Sequence, residues 1–156
     1  MNDTEKALAD VLLKARVIKP AQLEAAVRCK DQNGMSLEDA LVRLRYAGED
    51  EVARGLSKVS GMPFASKGNK MLRAERGQGL ETLVDAVFAR DNYVLPLYIE
   101  EGTLHAAMAA PHGGVLGPAV AHKTGMPVSC FIAPASELRE AIDQFYGPVN
   151  PAPAGS

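Results

Sequence analysis

The segment from Leu8 to Val59 carries one apolar pattern written twice, and this repeat restricts the fold more than any other feature of the chain. Asp10-Val11-Leu12-Leu13-Lys14-Ala15-Arg16 superimposes on Asp39-Ala40-Leu41-Val42-Arg43-Leu44-Arg45, while Leu23 and Val27 fall on Val52 and Leu56. Leu8, Val11, Leu12 and Ala15 recur at i, i+3, i+4 and i+7, one face of an α-helix, and Leu37, Ala40, Leu41 and Leu44 repeat that face. Each copy predicts a short helix, a tight turn and a second helix, so two helical hairpins are expected. Thr4 is the expected N-cap of the first helix. Lys19-Pro20 opens the second, because proline at the first helical position forfeits no intrahelical bond. Asn33-Gly34 breaks the chain, Ser36-x-x-Asp39 has capping-box spacing, and a fourth helix bearing Val52, Leu56 and Val59 ends at Gly61. Helices this short are unstable singly, so residues 1–61 are expected to form a compact bundle.

From 62 to 81 the pattern dissolves into Pro63, Gly68, Gly77 and Gly79 interspersed with Lys67, Lys70, Arg73 and Arg76. A surface connection with solvated cations is expected there, a binding strip for an acidic partner being the competing reading. Residues 82–147 then read as a small α/β subdomain. One short helix is expected over Leu83–Phe88, and a β-hairpin over Val94–Ile99 and Leu104–Met108 around Glu101-Gly102. Gly117-Pro118 opens a short helix that Gly125 closes, and Val128, Cys130 and Ile132 alternate as a third strand. Ser136 is the expected cap of a last helix bearing Leu138, Ala141, Ile142 and Phe145, which Gly147-Pro148 stops. The fold class is α+β, a helical bundle followed by a three-stranded sheet covered by helices. Residues 148–156 have the Pro/Ala-rich composition of a tail or linker.

Seventeen basic against nineteen acidic residues, a net charge of −2, argue against a general nucleic-acid binder. Cys29 and Cys130 are far apart in sequence and read as reduced thiols. The apolar runs are too short to span a bilayer and the N-terminus lacks signal-peptide features, so a cytoplasmic chain is expected, reaching a membrane only through a partner. His105, His112 and His122 have no carboxylate or cysteine at ligand spacing, so neither a metal nor catalysis is expected of them. His112-Gly113-Gly114 reads as a strand-to-helix turn rather than an anion cradle. Arg16 and Arg45 end the first helix of each copy. A cation there is favoured by the helix dipole, and the functional alternative is a guanidinium pair for a phosphate or carboxylate partner.

Gly61-Met62-Pro63-Phe64, Arg90-Asp91-Asn92-Tyr93-Val94-Leu95-Pro96-Leu97, Ala107-Met108-Ala109-Ala110-Pro111, Thr124-Gly125 and Glu137-Leu138-Arg139-Glu140-Ala141-Ile142 follow one another in a familiar order. On these stretches the chain resembles the N-terminal domain of the assembly ATPases of type II secretion and type IV pili, the GspE/PilB group, including the MshEN variety. The resemblance implies a regulatory and protein-interaction domain that docks to a cytoplasmic domain of an inner-membrane platform protein such as GspL. The chain has no G-x-x-x-x-G-K-[ST], so no ATP hydrolysis is expected of it, nor any obligatory cofactor.

Some members bind cyclic di-GMP through a twin pattern similar to R-L-G-x-x-L, with a turn glycine and a closing glutamine. Here the copies begin Ala7-Leu8-Ala9 and Ser36-Leu37-Glu38, Arg16 and Arg45 replace the turn glycines, and Lys30 and Val59 replace the glutamines. Glu38 brings bulk and, if it faces the site, negative charge towards an anionic ligand. The resemblance therefore implies a repeat kept for folding and docking. The alternative is a nucleotide sensor, with Arg16, Arg45, Lys30 and Arg43 as candidate ligand or partner contacts.

Overall fold

The N-terminus folds into a helix because its first residues cap one another. In the computed structural model, which describes residues 1–110 and 116–147, α1 spans Asp3–Lys14. Its N-cap is Asn2 rather than Thr4: the Asn2 side chain accepts from Glu5 N at 2.7 Å, and the Glu5 carboxylate accepts from Asn2 N at 3.1 Å. Asparagine two residues upstream completes the reciprocal box with Glu5, which Thr4 is too close to reach. Helix α2 (Pro20–Asn33) opens as its proline predicts, with Lys19 N donating to the Gln22 side chain at 2.8 Å. Helix α3 (Leu37–Arg43) is capped by Ser36, which accepts from Asp39 N, and α4 (Glu49–Ser60) ends at Gly61.

The repeat survives in the backbone even where its residue types have changed. After α1, Arg16 N donates to Leu13 O and Val17 N to Leu12 O; after α3, Arg45 N donates to Val42 O and Tyr46 N to Leu41 O. These are matching Schellman ends, and each places its arginine in the left-handed region at φ 61°. A side chain there is disfavoured by roughly 1 kcal/mol relative to a right-handed backbone. Arg16 and Arg45 thus occupy a glycine conformation without being glycine. Arg16→Gly and Arg45→Gly together are expected to raise the melting temperature by about 2–4 °C, since the relieved strain exceeds glycine's larger unfolded-state entropy. Paired thermal melts of the double variant and the parent check this.

Helix α1 packs chiefly against α4, and α2 against α3. The first helix of each copy is therefore partnered by the second helix of the other, and the two hairpins interlock. The closest approach is at Gly55 of α4, where a Cβ would lie 2.7 Å from Leu8 Cδ1 and 3.7 Å from Leu12 Cδ2. Leu8, Leu12, Leu37, Leu41 and Leu56 are all but fully buried around this contact.

The second half is a mixed sheet in the order β1-β2-β3. Strands β1 (Val94–Glu100) and β2 (Thr103–Met108) form the expected antiparallel hairpin, with a bulge between Pro96 and Tyr98. Strand β3 (Val128–Ile132) runs parallel to β2, and the crossover between them carries α7 (Leu116–Thr124). His112-Gly113-Gly114 lies outside the described residues. The single helix expected over Leu83–Phe88 is two: α5 (Leu80–Leu83) and α6 (Ala86–Asn92), because Asp85 accepts from Phe88 N at 2.9 Å and starts a new helix. Helix α8 (Ala135–Tyr146) begins one residue before Ser136. Ser136 is not its cap: Ser136 N and Oγ both donate to the Glu49 carboxylate of α4, tying the two halves together.

The connection between the halves is more than a surface loop. Ala65 N donates to Ile132 O and Ile132 N to Pro63 O, adding a bridge to the outer side of β3. Further along, Glu75 N donates to Leu97 O, and Gln78 exchanges hydrogen bonds with Ile99 N and O on the outer side of β1. Two of its four cations are used internally. Lys67 pairs with Glu140, while Arg76 donates to the carbonyls of Gln144 and Phe145 at the end of α8. There a guanidinium meets the negative end of a helix. Arg90 donates to Gly147 O and Tyr146 Oη to Val84 O, so three side chains clamp this helix end.

Candidate functional site

A groove of about 890 Å3 opens where the N-terminal ends of α1 and α3 face α4, the end of β2 and the first turns of α8. Its depth comes from small side chains. Ala53, Ala109, Ala110, Ala133 and Ala135 line it, with Val42 and Val52 between them. Around this apolar floor stand Asp3, Glu5, Glu38, Asp39 and Glu49, opposed by Arg43 and Arg139.

Several of these charges are already committed. Glu5 is only 5% exposed and accepts from Leu37 N at 2.7 Å and Asn2 N at 3.1 Å, with Lys30 Nζ at 3.7 Å. Burial pushes its carboxyl up, but these two backbone donors and the Lys30 charge outweigh it and hold the group below the usual glutamate range. Glu49 accepts from Ser136. Arg139 donates through Nε to Tyr93 Oη at 3.2 Å with its guanidinium over the Tyr93 ring. Tyr93 itself sits at φ 50°, a strained position for an aromatic residue, and is 38% exposed at the groove.

Glu38 is different. Its Oε1 is shielded from solvent and has no hydrogen-bond partner. Burial, reinforced by the negative charges of Glu5 and Asp39, holds its carboxyl above the usual range. The sign follows from linkage. A raised native-state pKa leaves the fold unpenalised below the unfolded value of about 4.3 and weakens it as pH rises through the native value. Glu38→Gln is therefore expected to raise the melting temperature at pH 7, with the gain vanishing near pH 4. Melts of both proteins at the two pH values check this.

The four candidate contact residues are dispersed. Arg43 lines the groove. Lys30 is engaged by Glu5, within 3.7 Å, and reaches Asp31 at 4.0 Å. Arg16 and Arg45 are exposed, each at the end of its own hairpin's first helix, and line no part of the groove. Glu5, Tyr93, Arg139 and Glu49 were not singled out from the sequence. A capping box at Asn2-x-x-Glu5 was legible there, but a left-handed tyrosine and contacts between the two halves have no local signature. His105 is stacked on Tyr98 at 4.4 Å within the sheet and His122 is exposed on α7. Among the described residues no group of histidines, cysteines and carboxylates is arranged to hold a metal ion.

The MshEN domain model matches residues 60–151, more than half of the chain. The chain belongs to the MshEN domain family. Among curated proteins, this MshEN chain is 26% identical over 149 residues to the type II secretion system protein E of Xanthomonas campestris pv. campestris, covering 92% of itself and 25% of that protein. It thus spans about a quarter of that relative's length. Among solved structures it is similar to the N-terminal domain of XpsE, with a TM-score of 0.74, 25% identity and coverage of 94% of this chain and 99% of the other. It is also similar to MshE solved with cdg, with a TM-score of 0.73, 25% identity and coverage of 89% and 98%. The interlocked helices and the small mixed sheet of this MshEN chain are therefore the family's α+β fold. No described helix is long and apolar enough to cross a membrane.

Proposed function

We propose that this chain is a non-enzymatic interaction and regulatory domain of a cytoplasmic type II secretion or type IV pilus assembly ATPase, docking to the cytoplasmic domain of an inner-membrane platform protein. The observation that carries this reading is the match to the N-terminal domain of XpsE over nearly the whole of both chains. The groove supports it through its edge, where the exposed Tyr93 and the guanidinium of Arg139 stacked on it are residue types enriched at protein interfaces. Isothermal titration of the domain with the cytoplasmic domain of the GspL-like or pilus-platform protein of the same organism tests it. A saturable complex is the expected result. Failure to bind every such platform domain, with the protein shown to be folded, overturns the reading.

A second reading is favoured by one observation, the similarity to MshE solved with cdg, which we take as cyclic di-GMP. In that reading Arg16, Arg45, Lys30 and Arg43 contact an anionic nucleotide. Titration with cyclic di-GMP separates the two: saturable binding that Arg16→Glu with Arg45→Glu abolishes supports a sensor, and silence of the folded domain removes it.

A further inference from the structure

Glu38 presents a contradiction that the fold alone does not resolve. A partly buried carboxylate with one oxygen shielded and unpartnered, beside two other acidic groups, weakens the protein at neutral pH. A glutamine of the same shape would avoid that penalty. Residues that lower stability are often tied to function. The groove that Glu38 lines sets small apolar side chains beside an acidic rim.

Resting on the docking reading above, we propose that the groove between α1, α3 and α8 seats an amphipathic segment of the platform protein, with an apolar side chain on the alanine floor and a lysine or arginine pairing with Glu38. Charge complementarity selects this occupant. Five carboxylates line the groove; with Glu5 matched by Lys30, four still face the two arginines, Arg43 and Arg139. An anionic segment would meet like charge on entry, whereas a cation would meet the carboxylates of Asp3, Glu38 and Asp39 that line the groove. The alanines at 53, 109 and 133 give the floor its recess, so a single larger side chain there closes it. The strained Tyr93 and the Arg139 stacked on it stand at the groove as the kind of aromatic and guanidinium anchors that dominate binding energy at interfaces.

Two measurements test this separately from the docking reading. In the first, the wild-type domain and the variants Glu38→Gln, Ala109→Trp and the distant control Glu24→Lys are titrated with the platform cytoplasmic domain. Glu38→Gln and Ala109→Trp are expected to weaken binding about tenfold or more while Glu24→Lys leaves it unchanged. Because Glu38→Gln is expected to be the more stable protein, its loss of affinity cannot be attributed to unfolding. Wild-type binding that both groove variants retain in full overturns the groove while leaving docking intact. In the second, the amide signals of the domain are followed by NMR as a short helical peptide with a leucine face and lysine flanks is added, and again with glutamate in place of lysine. Shifts centred on Ala53, Ala109 and Ala133 with the basic peptide alone, lost in Glu38→Gln, are expected. Their absence with the basic peptide, or equal shifts with the acidic one, overturns the inference even if no platform domain binds.

Discussion

Replacing Glu5 by alanine is expected to destabilise the domain by about 3 kcal/mol. One carboxylate closes the capping box of α1 with Asn2 and also accepts from Leu37 N, the first residue of α3, at 2.7 Å. Removing it leaves a buried backbone donor unsatisfied, frees the N-terminus of α1 and takes the ion-pair partner from Lys30. The interaction joins the two copies of the repeat directly, so a local fraying of α1 should pass into α3. Its pH dependence has a definite sign. The native pKa is lowered, so the contribution is fully present above the unfolded value of about 4.3 and is lost as pH falls through the lower native value. Chemical denaturation of the parent and Glu5→Ala at pH 7 and at pH 3 should show the difference between them shrinking in acid. A difference that stays constant would mean that Glu5 acts through packing and not through charge.

Gly55→Leu should cost a comparable amount, about 3 kcal/mol or roughly 10 °C in melting temperature, by a wholly different route. A Cβ at this position already lies 2.7 Å from Leu8 Cδ1, and Leu8 is fully buried, so the rest of a leucine side chain must displace Leu8 within the core. The added side chain must separate α1 from α4, and with them the interlock of the two copies. Lys58→Leu, on the exposed side of the same helix, should change stability by no more than about 0.5 kcal/mol. If Gly55→Leu melts like Lys58→Leu, the helices do not approach each other as described.

The helices of the repeat were legible because their apolar spacing is periodic and their ends carry chemistry: Pro20, Ser36 and Gly61 each act where their side chains or backbone freedom suggest. The β-hairpin was legible for the same reason, from alternation around Glu101-Gly102. What escaped is non-local. Ser136 looks like a helix cap in sequence, yet its hydrogen bonds go to Glu49, far away in the chain. The break at Asp85 was hidden because Leu83 to Phe88 is apolar enough to pass for one helix, and only a side-chain bond to Phe88 N divides it. Most instructive are Arg16 and Arg45, where an arginine takes the left-handed conformation that glycine favours, with buried Leu12 and Ile18 flanking the first and buried Leu41 and Ala47 the second. Of the groove, Arg43 was visible as a candidate contact and Glu38 as a carboxylate where the family pattern has glycine, but the missing partner of Glu38 Oε1 belongs to the tertiary structure.

The segment between the two halves has a consequence for recognition. By engaging Leu97 O and both backbone groups of Ile99 on one side of the sheet, and both backbone groups of Ile132 on the other, it occupies part of each edge through which a foreign strand would extend the ladder. Proline at position 96 removes a further donor from the same margin. Strand addition joins chains through main-chain groups that every sequence possesses, and so discriminates poorly. With those groups spent internally, the choice of associate falls more to side chains on the helical faces, where one substitution can retune it without disturbing the sheet.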